Sequence, residues 1–279
     1  MTHLLSFLFH DVYRVRPDES GFVGSAADRY KLSVTEFDRQ LAGLLLVRED
    51  WPLLITRSIG SANRTSRFAV TVDDGGISYR TYVADRLEEL GWRGHCFVTT
   101  GCIGRRGFLD RAQIRELFQR GHVIGSHSVS HPARFSTCSW NQMVGEWKDS
   151  RETLSDLLGE DVTVASVPGG YYSERVAIAA SEAGFRALFT SEPETRMRMV
   201  NGCMVTGRFT VRNSCGPNFT ARLALLRPSA LLREWLSWNG KKVAKSVLGS
   251  AYPRVARAVA PARAVPSIVV TNSRKTDSL

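Results

Sequence analysis

Residues 67–76 read RFAVTVDDGG. The run from Phe68 to Val72 is short, β-branched and aromatic, which predicts a buried strand. It stops at two adjacent carboxylates, Asp73 and Asp74, followed by Gly75 and Gly76. Ligands in α/β folds sit beyond the strand ends, so acids placed there form either a site or a local cost. Neighbouring strand side chains point to opposite faces, but a turn at Gly75 can bring both acids to one rim. One carboxylate then suits a metal and the other a proton transfer. The competing reading is a plain Asp-Gly turn, and the pair taken alone favours it.

About fifty residues on, His127-Ser-Val-Ser-His131 follows a second apolar run that ends in Gly125 and Ser126. Two imidazoles four residues apart can face one ion if the segment is helical or tightly turned. A His-x-x-x-His pair also arises by chance. With Asp74 it makes a two-histidine, one-carboxylate set that leaves positions open for water. Zinc suits such donors, and cobalt, nickel or iron would also fit.

Three motifs, TVDDG (71–75), HSVSH (127–131) and SVPGG (166–170), occur in an order and spacing that resemble the polysaccharide deacetylase family, carbohydrate esterase family 4. The family patterns are T-F-D-D-G, H-[ST]-x-x-H and R-x-P-x-G. The resemblance covers about residues 67–191 well and 4–46 more loosely. It implies an incomplete (β/α) barrel and removal of N-acetyl groups from an amino sugar in a polysaccharide, oligosaccharide or lipid-linked precursor. It implies Asp74, His127 and His131 as metal ligands and Asp73 as general base. It also implies a groove lined by the Pro168-Gly169-Gly170 turn and Tyr171, with backbone N–H groups donating to an oxyanion.

Two departures stand out. The family's arginine at the head of the third motif is Ser166 here, which can donate a hydrogen bond but brings no charge. The family's late histidine, its general acid, is missing, because no histidine follows His131. In a barrel the first strand lies beside the last or across the gap from it. His10, at the end of a first strand over residues 4–9, could therefore approach the vacated position, with Asp11 orienting it. The alternative is that His10 bonds locally. These losses also frame a rival function: a catalytically impaired saccharide-binding or regulatory protein on the same barrel. A metal-dependent amidase or O-deacetylase is the third reading.

The remaining chain supports an α/β barrel of ordinary size. Helical patterns (32–46, 79–90, 110–120, 139–158, 173–183) alternate with apolar runs (95–99, 122–126, 162–167, 187–190), predicting a parallel sheet. Residues 202–211 read as a last strand and 51–63 as irregular. The barrel is expected over residues 1–215, followed by a basic helical extension and flexible tail, 216–279. Leu231, Leu232, Trp235 and Trp238 beside Lys241, Lys242 and Lys245 suggest either an interfacial helix or a cap on the barrel.

The net charge of +10 is uneven: residues 205–279 hold 13 Lys/Arg against 2 Asp/Glu. Such a tail suggests an anionic partner, here a peripheral contact with an anionic membrane surface, and nucleic acid is not expected. Five scattered cysteines without a CxxC argue for a reducing compartment. The N-terminal apolar run lacks a basic start and a cleavage site, and no run reaches the roughly 18 residues of a membrane span. The expected location is cytoplasmic, at most peripheral to the inner face of the membrane.

Overall fold

The computed structural model describes residues 3–55 and 68–248; of residues 241–248 it describes the backbone only. The expected irregular stretch 51–63 therefore lies partly outside the described residues. Eleven strands are present among them: β1 (Leu5–Phe9), β2 (Val12–Tyr13), β3 (Leu32–Ser33), β4 (Phe68–Val72), β5 (His95–Val98), β6 (Val123–Ser126), β7 (Val164–Ser166), β8 (Ala187–Phe189), β9 (Met197–Val200), β10 (Cys203–Thr206) and β11 (Phe209–Thr210). The helices are α1 (Ser25–Asp28), α2 (Val34–Leu45), α3 (Ala84–Glu89), α4 (Arg111–Gln119), α5 (Trp140–Leu158), α6 (Glu174–Glu182), α7 (Phe219–Ala224) and α8 (Pro228–Leu248).

Nine strands form one curled sheet in the order β11-β1-β4-β5-β6-β7-β8-β10-β9, while β2 and β3 pair separately. This is an incomplete (β/α) barrel, as the alternation of elements requires. Along β4 the side chains divide cleanly. Phe68, Val70 and Val72 join the core under the helices, and Ala69 joins the core inside the barrel with Phe97, Val164 and Phe189. Both faces are covered, which is why the strand is apolar without alternation. Asp73 follows Ala69 and Thr71 in the inward-facing phase.

Three of the helices start where their sequences supply caps. Ser33 caps α2 with a reciprocal Glu36 contact, and Asp110 with Gln113 and Ser139 with Gln142 repeat the device on α4 and α5. The helix expected over residues 79–90 opens with a wide π-type turn, Tyr79–Val83, before α3. On α5, Trp147 is fully buried with ring centroids 4.7 Å from Phe135 and 5.5 Å from Phe185.

The strand expected over residues 202–211 is two strands serving opposite edges. β10 pairs with β8, whereas β11 pairs with β1 through Phe7–Phe209 and Leu8–Thr210. The sheet is also not wholly parallel, because β9 runs antiparallel to β10. The chain crosses between the edges at Gly207, where a Cβ would sit 2.2 Å from the Glu192 carbonyl oxygen, leaving room only for glycine. α7 packs on α2, with Thr220 bonded to both the backbone and the side chain of Gln40. The contacts divide the chain into a unit spanning Met1–Trp238 and another spanning Asn239–Leu279. No described helix is long and apolar enough to cross a membrane.

Candidate metal and acid–base site

The carboxyl ends of β1, β4, β6, β7 and β11 meet around one cavity of about 290 Å³. Register brings the site residues together. Phe9 pairs with Val72 across β1 and β4, and the Asp73 amide donates to the Phe9 carbonyl at 3.1 Å. His10 and Asp73, the next residue on each strand, therefore emerge side by side. His127 follows Ser126, which pairs with Ala165 of β7, so Ser166 emerges beside it.

Asp74, His127 and His131 offer ligand atoms that all lie within 4.8 Å of one another. Nε2 of His127 and Nε2 of His131 are each 3.5 Å from Asp74 Oδ1. Donors about 2.0–2.1 Å from a tetrahedral ion stand about 3.3 Å apart, so the set needs little adjustment to hold one. Nδ1 of His127 donates to the Ser166 carbonyl at 3.0 Å, which leaves Nε2 aimed at the other two ligands. The donor chemistry and the spacing both fit a divalent metal.

The HSVSH segment is a tight turn, not a helix. Ser126 Oγ accepts from the Ser128 amide, Ser128 Oγ accepts from the His131 amide, and Glu146 of α5 accepts from the amides of Val129 and Ser130 at 2.8 Å each. Asp74, Ser128 and His131 take positive φ of 78°, 64° and 54°. Such conformations cost roughly 1–3 kcal/mol each and persist where the surroundings enforce them. Two of them line the cavity and the third lies between the two histidines, which marks a site held in place by its packing.

Asp73 is the centre of a second, charged cluster. Arg208, in the crossing between β10 and β11, is fully buried and grips it with both nitrogens: Nη1 to Oδ1 at 2.7 Å and Nη2 to Oδ2 at 2.8 Å. The remaining guanidinium hydrogens reach the Thr190 carbonyl at 2.9 Å, Thr71 Oγ1 at 3.2 Å and Ser166 Oγ at 2.6 Å. The rings of Phe97 and Phe189 face its charge at 5.7 and 5.8 Å. The Ser166 hydroxyl lies 3.1 Å from both Asp73 oxygens. Serine thus holds the place in the third motif, as expected, while the charge comes from a residue 42 positions later. The loss of a positive partner for Asp73, read from the sequence, is corrected: the arginine has moved.

Charge and burial set the protonation states. Burial pushes the Asp73 carboxyl up, but Arg208 and then His127 pull it below the usual carboxylate range. Burial likewise opposes ionisation of Asp74, yet the His127 hydrogen bond and the charges of His10 and His131 hold it well below that range. Burial lowers His127, and the two acids more than restore it, leaving it raised. His131 is lowered by burial and then by His127.

His10 lines the same cavity as the two acids and two histidines. Its Nδ1 is buried without a hydrogen-bond partner, and its ring lies against Tyr30 with centroids 4.9 Å apart. Burial lowers it further than Asp74 and Asp73 raise it, so it is neutral at rest. Asp11 does not orient it. The Asp11 carboxylate turns away to accept from Ser20 and Ser78 Oγ, in a nest where a Cβ on Gly21 or Gly76 would collide with it.

The Pro168-Gly169-Gly170 turn closes another side. Gly169 and Gly170 line the cavity with φ of 66° and 71°, and a Cβ on Gly169 would meet the Ala133 carbonyl oxygen at 2.7 Å. Pro168 is buried behind them. Tyr171 stands outside the lining, with the Arg134 guanidinium 5.5 Å above its ring. Tyr172 and Trp140 are likewise covered by Arg198 and Arg175. Trp238 reaches the cavity wall, whereas Trp235 and Leu232 remain exposed, so the aromatic residues of α8 divide between the two roles considered for them.

Residues 61–188 match a family model described as polysaccharide deacetylase. Over those residues the chain is similar to the polysaccharide deacetylases. It is 27% identical over 129 residues, 46% of each chain, to the Bacillus subtilis protein YxkH, whose name assigns it provisionally to the polysaccharide deacetylases. It is 25% identical over 130 residues to a peptidoglycan-N-acetylglucosamine deacetylase of Bacillus cereus, covering 46% of this chain and 58% of the other. The chain thus spans about half the length of these curated relatives. Its fold is similar to that of the Streptococcus pyogenes deacetylase PplD, solved with acetate, at a TM-score of 0.64 and 19% identity over 81% of this chain and 99% of that one.

At this site the sequence alone missed Arg208 and Glu146. A signal existed for the first: an arginine inside the apolar run 203–211 has no exposed face to use and must find a buried acid. Glu146 had none, since it reads as one more polar position on a long helix.

Proposed function

We propose that the chain hydrolyses the N-acetyl amide of an amino sugar, within a polysaccharide, an oligosaccharide or a lipid-linked precursor. The observation that carries the reading is Asp73. It is a buried carboxylate held ionised by Arg208, with Oδ2 3.8 Å from Nε2 of a histidine in the metal-type set. A structural ion pair has no use for three further ligand-type side chains at the same rim.

Asp74, His127 and His131 would hold the ion, with zinc the best match to two imidazoles and one carboxylate, and cobalt, nickel or iron as substitutes. A divalent cation there would acidify water and polarise the acyl carbonyl. Asp73 takes the proton from the attacking water, since its oxygens keep lone pairs beyond those used by Arg208 and Ser166. Backbone donors of the Pro168-Gly169-Gly170 turn serve the oxyanion, and Tyr171 borders the outer part of the groove. When the C–N bond breaks, the leaving nitrogen needs the proton that left the water. His10, neutral and beside Asp73, relays it to the amine, and the products are acetate and a free amino sugar. On the same reading, residues 216–279 form a basic extension that meets an anionic membrane surface at the inner face, with exposed Leu232, Trp235 and Leu236 on α8 contributing.

The test is acetate release from N-acetylated amino-sugar oligomers by protein stripped of metal and reloaded with zinc or cobalt. Metal-dependent release that disappears in Asp73→Asn is the expected result, and loss in His10→Ala supports the relay. Tight metal binding with no turnover on N-acetyl substrates would instead favour a binding protein, and turnover confined to O-acetyl esters an O-deacetylase.

A further inference from the structure

Three cationic side chains border or support the cavity, and two are committed. Arg208 is spent on Asp73. Lys31 is buried and donates to the carbonyls of Pro17 and Ser20 at 2.6 Å each. The third, Arg212, lines the cavity two residues past the end of β11, and its guanidinium makes no hydrogen bond or ion pair with any described residue. Its Cζ lies 5.6 Å from the centre of the Tyr30 ring, whose own neighbour is His10. The root of the side chain is fixed. The Val211 amide donates to the Leu8 carbonyl at 2.8 Å, and the Arg212 amide donates to Cys215 Sγ at 3.4 Å.

A guanidinium held over the face of an aromatic ring keeps N–H donors free, in a fork that matches carboxylate or phosphate oxygens. A saccharide filling the cavity would strip water from those donors, and a neutral sugar would leave them poorly satisfied. We propose that Arg212 recognises an anionic group, a carboxylate or a phosphate, on the acetylated sugar or its immediate neighbour, so that the preferred substrate is an acidic saccharide. One aromatic ring, Tyr30, separates the guanidinium from His10, which places the anion about a sugar's width from the scissile amide. The inference rests on the deacetylase reading for the word substrate, but recognition by Arg212 is measurable as binding alone.

Zinc-loaded wild type, Arg212→Gln and Arg212→Lys would be compared on three compounds: a neutral N-acetylglucosamine oligomer, an oligomer alternating N-acetylglucosamine with glucuronate, and N-acetylglucosamine 1-phosphate. Arg212→Gln is expected to lower kcat/KM on at least one charged compound tenfold or more, mainly through KM, and to change the neutral one less than twofold. Arg212→Lys should regain part of the preference, and raising the salt should erode it. Whichever charged compound responds identifies carboxylate or phosphate as the source. Equal losses on charged and neutral compounds, or no loss on either charged one, overturn the proposal. If wild type releases no acetate at all, calorimetric binding of the same compounds decides. Arg212-dependent preference for a charged one upholds recognition while the deacetylase reading fails, and its absence sinks both.

Discussion

Replacing Arg208 by methionine leaves Asp73 buried without its counter-charge. The pair is joined by two charge-assisted bonds of 2.7 and 2.8 Å, with both side chains almost wholly out of water. Breaking such a pair from one side costs about 3–5 kcal/mol, because the remaining charge has lost its partner. For a domain of this size that lowers the Tm by roughly 10 °C. Burial is the largest influence on Asp73 and acts upward, so without Arg208 its pKa rises and the acid limb of the pH–rate profile moves to higher pH. Activity at neutral pH should fall at least a hundredfold, a loss of about 2.7 kcal/mol or more in the barrier. Calorimetric melting and pH-dependent acetate release read the two effects separately. The double variant Asp73→Asn, Arg208→Met should regain most of the lost stability and none of the activity. A single variant that melts within 2 °C of wild type and keeps its acid limb in place would refute the reasoning.

Asp11 titrates against the usual pattern. Burial, then the charge of Asp74, raise it to about 6. A carboxyl whose folded pKa lies above its unfolded one loses stability as pH rises through that window, so the metal-free protein should weaken between about pH 4 and 6. The difference between Asp11→Asn and wild type should reach about 3 kcal/mol in favour of the variant at pH 7–8 and vanish near pH 4, as chemical denaturation would show. Gly207→Ala should misplace the crossing that carries Arg208, through its clash with the Glu192 carbonyl, and reproduce both the thermal and the catalytic defect of Arg208→Met. Ser166→Ala removes a hydroxyl from Asp73 but leaves the charge in place, so a loss of about 1–2 kcal/mol in stability and an unmoved acid limb are expected. Trp147→Ala, remote from the cavity, should cost about 3–5 kcal/mol by melting and leave the KM of the surviving folded protein unchanged.

Much of the fold could be read from residues 67–191 because each signal there is local. Apolar runs end in Gly or Asp, and helices open on Ser33, Asp110 and Ser139 with their partners three residues on. The metal-type set was legible for the same reason, since His127 and His131 sit four apart and Asp74 ends a strand. What escaped depends on long-range pairing. Nothing near Gly207 announces that β10 and β11 belong to opposite edges of the sheet, so Arg208 looked like part of a basic tail. Its role becomes visible only when Asp73, 135 residues away, is placed next to it. His10 was reachable from sequence because barrel topology brings first and last strands together, and β1 does pair with β11. The supposed help from Asp11 was not, because two serines compete for that carboxylate.

The crossing at Gly207 also sets an order of assembly. The site draws on residues 10 through 208, and its neutralising arginine belongs to one of the last segments of the barrel to be synthesised. A nascent chain that has made β1 to β8 already owns both acids and both ligand-type histidines. It lacks Arg208, the one guanidinium paired with Asp73 among the described residues, so closing that interior early would trap an uncompensated charge. The barrel's interior therefore stays wet until β10 and β11 arrive on either side of the seam. Docking of β11 against β1 then becomes the step at which cavity and charge balance come into being together. A ribosome-bound chain stopped short of residue 208 should accordingly be sensitive to protease at β4, and one extended far enough for β11 to clear the ribosome should not.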